Sequence, residues 1–398
     1  MPETTSSVLL PIFDIVIVGS GPAGATTANF AASAGLSVLL IDKKQELGAP
    51  IQCSGAVSSN ALEQVGINPS TEFIQECIYG FSVYNTKGQH KVIDYRQIKP
   101  DEYGSKEGQK PLGFVVDRRR FDRYLATQAE RSGATIWLKT EALNYRVLSD
   151  GSCEVDLLKF NEPITIKAKV IVGADGIQSQ VGKWAGLKTN IKLSELASCL
   201  QFVVDGVATD GLLEIVTGHE WAPGGYAWVF PKGHGYAEIG LGVTRTMCIE
   251  NAQFYLNKFI QQSFFKERFK HCKVLEIQGG GVPLAAPLKI QYADNLLVVG
   301  DAARHVNAIT GGGIHTALSS GKIAGEFLAD LVLAGVPPTK DNMKVYHDKW
   351  LGELGNNLWK LYRIKREIFE IPDIAKRDAQ LYDTMSNYFS PDSAFKKI

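Results

Sequence analysis

Ile12-Phe13-Asp14-Ile15-Val16-Ile17-Val18-Gly19-Ser20-Gly21-Pro22-Ala23-Gly24, read on to Ser37-Val38-Leu39-Leu40-Ile41-Asp42, is the stretch that decides the fold. Ile12 to Val18 is a β-branched run, Pro22 to Ala34 is a small-residue helical segment ended by Gly35, and Ser37 to Ile41 is a second short apolar run. That order predicts one βαβ unit. Gly19 permits the tight turn after the strand, Gly21 lets backbone approach a pyrophosphate, and Gly24 lets the helix pack closely on the sheet. The helix N-terminus then faces negative charge. Asp42, about 20 residues on, ends the second strand where a carboxylate accepts ribose hydroxyls. An acid there disfavours a 2′-phosphate, so the loop reads as a site for a dinucleotide other than NADP. A glycine turn without a ligand is the competing reading, and the order strand, loop, helix, strand, acid weighs against it.

Two downstream segments favour FAD over NAD. Gly173-Ala174-Asp175-Gly176 follows the apolar run Lys169 to Val172, and Gly300-Asp301-Ala302-Ala303-Arg304 follows Leu296 to Val299. If both strands join the nucleotide sheet, Asp175 lies in a turn beside the glycine loop and Asp301 accepts a ribityl hydroxyl. Thr310-Gly311-Gly312-Gly313-Ile314 then opens a helix to about Leu333, and bare amides there can face the pyrimidine edge of an isoalloxazine. The dull alternative is a glycine-rich helix cap.

A chain of 398 residues suits two closely packed domains, and 45% hydrophobic residues excludes a disordered chain. The 42 basic and 42 acidic side chains cancel, so nothing points to nucleic acid. Cys53, Cys77, Cys153, Cys199, Cys248 and Cys272 are widely spaced, which argues against zinc, iron-sulfur or a disulfide framework; no metal site is expected. Met1 to Ser7 lacks signal-peptide character and no apolar run approaches about 20 residues, so a cytoplasmic protein is expected. Trp350 to Ile371 mixes large apolar residues with Lys360, Arg363, Lys365 and Arg366, a composition that suits either a packed helix or one lying on the inner face of a membrane.

The expected fold is α/β with a Rossmann-like FAD-binding domain. It is discontinuous, formed by residues 1–80, 113–192 and 279–335. Phe114 to Val116, a helix from about Arg118 to Arg131, and a strand near Thr135 to Leu138 are read as continuing the nucleotide sheet, followed by a hairpin across Asn161 and Pro163. Alternating runs place an antiparallel-sheet substrate domain at 81–112 and 193–278, and residues 336–398 form a helical region.

The glycine loop, Asp117-Arg118-Arg119-Arg120-Phe121-Asp122, Gly173 to Gly176 and Gly300-Asp301 together resemble the flavoproteins built like p-hydroxybenzoate hydroxylase, over about 330 residues. Within them, Gly48-Ala49-Pro50-Ile51-Gln52-Cys53 and Pro223-Gly224-Gly225-Tyr226-Ala227-Trp228-Val229-Phe230-Pro231 resemble the geranylgeranyl reductases, in particular the archaeal digeranylgeranylglycerophospholipid reductases. The resemblance implies FAD contacts from Ala23, Gly24, Asp42, Cys53, Ser54, Arg118, Ala142, Asp301, Gly313 and Ile314. Ala308 departs from that family's usual proline, and Ser54-Gly55-Ala56 from its common Gly-Glu-Gly. Both changes border the ring and bear on the substrate more than on the cofactor. The chlorophyll-pathway reductases are a nearby branch.

The implied activity is saturation of geranylgeranyl double bonds by hydride from reduced flavin, in a prenyl lipid, with an external nicotinamide, ferredoxin or deazaflavin as electron donor. In a strand Tyr226, Trp228 and Phe230 share a face, an aromatic wall able to hold an isoprenoid and temper positive charge; core filling is the alternative. Cys53 reads as a proton donor or as a small neighbour of the ring. Cys53, Tyr226 and Trp228 are thus the candidate catalytic residues. His234 and His315 read as structural or solvent-facing, while Arg304 and His305 stay open between partner contact, head-group contact and strand capping. A monooxygenase on the same scaffold and an electron-transfer flavoprotein are the rival functions.

Overall fold

The structure, a computed structural model, describes residues 12–393; the expectation for Met1 to Ser7 lies outside the described residues. In chain order, β1 (Ile12–Val18), α1 (Pro22–Ser33) and β2 (Val38–Ile41) are followed by β3 (Ala56–Ser58), α2 (Ser59–Gln64), β4 (Ile74–Ile78), β5 (Gly80–Tyr84), β6 (His90–Asp94) and α3 (Tyr95–Ile98). Next come β7 (Gly113–Val116), α4 (Arg118–Arg131), β8 (Thr135–Trp137), β9 (Thr140–Val147), β10 (Cys153–Lys159), β11 (Glu162–Gly173) and α5 (Gln180–Trp184). The strands β12 (Leu196–Asp205), β13 (Leu212–Thr217), β14 (Tyr226–Gly233) and β15 (Tyr236–Thr244) precede α6 (Ala252–Gln262), α7 (Lys266–Phe269) and β16 (Lys273–Pro283). The chain closes with β17 (Tyr292–Ala293), β18 (Leu296–Val298), α8 (Ile314–Leu333), α9 (Lys340–Trp350), α10 (Asn356–Phe369) and α11 (Ile374–Phe389).

The first sheet runs β17-β18-β11-β1-β2-β8, with the β9/β10 hairpin attached to β11. Its parallel register aligns Val18 with Ile41 and Gly173, and Gly173 with Val298. Gly19, Asp42, Ala174 and the Gly300 turn therefore leave the sheet side by side at one edge, where open α/β sheets bind ligands. Behind that edge α1 packs on α8. A Cβ on Gly321 would lie 2.6 Å from Ala23 O and one on Gly325 2.8 Å from Thr27 O, so only glycine allows this approach.

The second sheet runs β16-β12-β15-β14-β13-β5-β6. Side chains alternate across it with the period of the pleat. Ala227 and Val229 of β14 join the core under α6 and α7 with Leu256, Phe259 and Phe269, whereas Trp228 and Phe230 join Leu361, Ile368, Leu381 and Phe389 of α10 and α11 on the other face.

One expectation is corrected and two are made more specific. Residues 113–116 do not extend the nucleotide sheet; β7 pairs antiparallel with β3 and β4 in a separate small sheet, and only β8 joins β2. The second sheet is not wholly antiparallel, since β5 and β13 run parallel, and β16 carries it past residue 278 to Pro283. The segment Trp350 to Ile371 is a packed helix: Leu354, Leu358, Leu361 and Ile368 are buried. Among the described residues no helix is long and apolar enough to cross a membrane.

Candidate functional site

A cavity of about 610 Å³ lies between the edge of the first sheet and the inner face of the second, a size ordinary for small-molecule and cofactor sites. At the first-sheet end it meets the glycine loop. Gly19, at φ +105°, has its missing Cβ 2.3 Å from Ala174 O, and that of Gly24 would fall 1.9 Å from Gly19 O. Gly21, by contrast, faces open space with nothing within 4 Å. Among the described residues no side chain caps the first amides of α1. The Asp42 carboxylate, buried just behind the cavity wall, accepts from the Ser20 amide (3.0 Å) and the Lys44 amide (2.9 Å).

Further along, the Gly300 turn packs on Ala23, its missing Cβ only 2.7 Å from Ala23 Cβ. Asp301 follows, half-buried at the wall, with Oδ1 close to the backbone of Gly313. Burial raises its pKa, partly offset by the Arg118 guanidinium. Arg118 in turn forms two 2.9 Å bonds to Asp122. Burial works against the charge of Arg118, but the Asp122 carboxylate outweighs it and holds the guanidinium ionised, with Cys53 close by. The loop before α8 is built by its own polar groups. Asn307 Oδ1 accepts from the amides of Ile309 and Thr310, and Thr310 Oγ1 from that of Gly312. Among the described residues no side chain caps the start of α8, so the amides at Gly313 and Ile314 carry the positive end of its dipole.

The opposite wall belongs to β14. The Tyr226 hydroxyl donates to Thr310 O, which ties the second sheet to the glycine loop before α8. Burial raises the Tyr226 pKa, with Cys199 and Cys53 adding to the rise. Trp228 lies over Gly240, directly opposite it on β15; a Cβ there would come within 2.5 Å of the indole. Its N–H donates to Glu238 at 3.3 Å, and Glu238 pairs at 3.0 Å with Lys232. Beyond Trp228 the wall is apolar across β13 and β5, through Ile215, Leu213 and Phe81, and the Phe81 ring stacks on Phe389 of α11 at 3.8 Å.

Of the residues singled out from sequence, Gly21, Ala23, Cys53, Ser54, Arg118, Asp301, Gly312, Gly313, Ile314, Tyr226 and Trp228 line this one cavity. Gly19, Gly24 and Asp42 buttress it from behind. Asp175 differs: Ala174 and Gly176 face the cavity, while the Asp175 carboxylate accepts from the Val181 amide at 3.0 Å. Ala142 sits on β9 and pairs with Leu157, away from the cavity lining; Thr140, two residues earlier, donates its amide to Asp42 O. Arg304, in left-handed backbone at φ +61°, donates to Lys188 O and Asn190 O, and His305 is fully buried against Trp350, so both serve internal packing.

Sequence reasoning missed several wall residues. His315, read as structural or solvent-facing, lines the cavity, with burial pulling its pKa down to about 4. Cys199 and Gln201 enter from β12. Behind the lining, Lys232 and Glu238 are charges buried inside an apolar hairpin, with no motif to mark them. The set fits an FAD: open space at Gly21, uncapped amides at two helix starts, and carboxylates at 42 and 301 meet the chemistry of a pyrophosphate flanked by sugar hydroxyls.

Comparison with known proteins agrees. The geranylgeranyl reductase catalytic domain profile matches residues 195–282 and an FAD binding domain profile residues 13–207. Digeranylgeranylglycerophospholipid reductase of Methanothrix thermoacetophila is 36% identical over 90% of this chain and 88% of its own. The enzyme of that name from Methanocaldococcus jannaschii is 35% identical over 85% and 82%. A geranylgeranyl bacteriochlorophyll reductase-like protein from Thermoplasma acidophilum superposes with a TM-score of 0.85 at 28% identity, covering 97% of this chain and 94% of its own. A flavin-dependent brominase shares the fold at a TM-score of 0.70 and 19% identity, over 95% and 93%. The architecture is that of the p-hydroxybenzoate hydroxylase-like FAD proteins.

Proposed function

The chain belongs to the geranylgeranyl reductase family, and on that footing we propose that it is an FAD-dependent reductase saturating the geranylgeranyl chains of an ether phospholipid precursor. One observation carries the reading. A single cavity joins the nucleotide edge of the first sheet to an apolar face formed by Trp228, Phe230, Ile215, Leu213 and Phe81. A hydrocarbon chain is matched by such a surface, whereas a polar aromatic substrate would leave it unused.

Bound FAD, when reduced, supplies a hydride, and the protein's residues do the rest. The amides of Gly313 and Ile314 favour negative charge at one end of the site. Trp228 and Phe230 orient the chain, and the indole face tempers positive charge developing on the tertiary carbon. Cys53 is the candidate proton source for the other carbon, held against the Arg118–Asp122 pair. Apolar walls exclude water, so orientation supplies much of the help that an unactivated alkene needs. Electrons arrive from an external donor, a nicotinamide, ferredoxin or deazaflavin, and a lipid substrate requires at least transient contact with a membrane surface.

The test is mass spectrometry of geranylgeranyl phospholipid after incubation with dithionite-reduced protein. A gain of one hydrogen pair for each double bond is expected. Absence of any gain, on this lipid and on geranylgeranyl diphosphate, overturns the proposal.

A further inference from the structure

Glu238 has no exposed surface and Lys232 only 8%, yet they carry opposite charges 3.0 Å apart inside an apolar hairpin. Such a pair is costly to desolvate and gives little net stability; apolar residues of similar size commonly serve as well. What it adds is direction. The contacts at its two ends show where that direction is used. Glu238 Oε1 accepts the indole N–H of Trp228 at 3.3 Å, and Lys232 Nζ donates to Ser54 O at 3.0 Å. Trp228 and Ser54 both line the cavity, from opposite elements, and Ser54 is bonded in sequence to Cys53.

Local geometry explains how the pair reaches both. Phe230 stands opposite Glu238 and Trp228 opposite Gly240, so Glu238, Gly240 and Trp228 share one face. Gly240 leaves room for the indole to lie across β15 toward Glu238. An irregular register between Pro231 and Gly233 surrounds Lys232 at the hairpin end. The loop it clamps is held elsewhere too: the Val116 amide donates to Gly55 O at 2.9 Å, and Gly55, at φ +83°, has no room for a Cβ beside Val116 O.

We propose that the Lys232–Glu238 ion pair is a positioning strut that sets the distance and orientation between the Trp228 wall and the Cys53 loop, and so fixes how an alkene is presented. This rests on the reductase reading above. The carboxylate also makes the indole a better electron donor through its N–H bond, which strengthens the ring face toward positive charge. Neither residue touches the reacting atoms; each acts through a neighbour.

The experiment compares Lys232→Met, Glu238→Gln and the double variant Lys232→Met/Glu238→Leu in the flavin-loaded protein. Each single variant strands a buried charge or loses its anchor and lowers the melting midpoint, and the charge-free double variant recovers part of the loss. If the strut positions the site, the double variant nonetheless loses about tenfold or more in kcat with KM within about twofold of wild type. Its Trp228 emission shifts, and Cys53 alkylation by maleimide, read on the peptide by mass spectrometry, speeds up. Recovery of kcat together with the melting midpoint, and unchanged Cys53 alkylation, would make the pair purely structural and overturn the proposal. Should the double variant fail to fold, Glu238→Gln decides. It keeps an acceptor for the indole but releases Lys232, so Cys53 alkylation must accelerate and kcat fall; unchanged values of both overturn it. Wild-type protein that reduces no prenyl lipid overturns the functional reading instead, and the alkylation and emission measurements still decide the strut.

Discussion

Replacing Gly240 by alanine drives a methyl group into the Trp228 ring, to which the proposed function assigns substrate orientation. The added carbon would lie 2.5 Å from Cε2 and Cζ2 of Trp228 and 2.7 Å from Cβ of Gln201. Carbon atoms rest about 3.5–4.0 Å apart, so the indole must retreat by about 1 Å. Its N–H bond to Glu238 starts at 3.3 Å and does not survive that shift. Losing a bond to a charged group costs about 1.5–3 kcal/mol, and overpacking adds about 1–3 kcal/mol. Gly240 is not among the positive-φ glycines, so alanine suits its backbone and the effect falls on the ring and on the neighbouring Gln201. A misplacement of about 1 Å lowers catalysis roughly 100-fold. Steady-state reduction of geranylgeranyl phospholipid should therefore drop by about that factor, with a lower melting midpoint and full flavin content, because the glycine loop at 19–24 is remote. A variant with wild-type kcat and an unshifted tryptophan spectrum would refute both the contact and the role assigned to Trp228.

Three further outcomes are expected. Gly24→Ala sets a methyl against the backbone oxygen of Gly19, where neither atom can yield, and the purified protein should be colourless; retained flavin absorbance would contradict the close packing of α1. Cys53→Ala should keep its flavin and lose most alkene reduction, and undiminished turnover removes Cys53 from the mechanism. His305 is fully buried, and burial with the nearby His347 holds its pKa down to about 3. The unfolded chain takes that proton near pH 6.5 and the folded chain does not, so stability is present above about 6.5 and declines as pH falls toward 3. Between about pH 7.5 and pH 5 this group alone removes about 2 kcal/mol. Urea unfolding of His305→Gln should show a flatter acid limb, and an identical slope would show that His305 is not the titrating group.

The sequence made the nucleotide edge legible because glycines at 19, 21 and 24 and acids at 42 and 301 answer to backbone geometry that few other residues satisfy. Segments whose signal is only buried hydrophobicity were less legible. Gly113 to Val116 reads the same in a parallel nucleotide sheet as in the small antiparallel sheet that it joins. The amphipathic run at 350–371 announces an apolar face without saying whether protein or lipid covers it; burial of Leu358 and Leu361 answers that. His315 escaped because its sequence position does not tell which way a first-turn side chain points. Glu238 escaped for a different reason. A lone carboxylate in a strand normally marks the wet face, and only the bulged position of Lys232 brings its partner within reach.

The pairing of β1 with β11, of β11 with β18, and of α1 with α8 gathers the dinucleotide edge from residues spread between 12 and 333. No local stretch of chain can form that edge alone. During synthesis at about 5–20 residues per second, roughly 15–60 seconds separate the appearance of β1 from that of α8. The β-branched first strand gains its second parallel neighbour only when β11 is complete at Gly173, and α1 waits longer still for α8 to cover its remaining flank. On the site proposed above, cofactor capture is accordingly a terminal event in the life of the nascent chain, because the amides at Gly313 and Ile314 join the glycine loop only once α8 has formed.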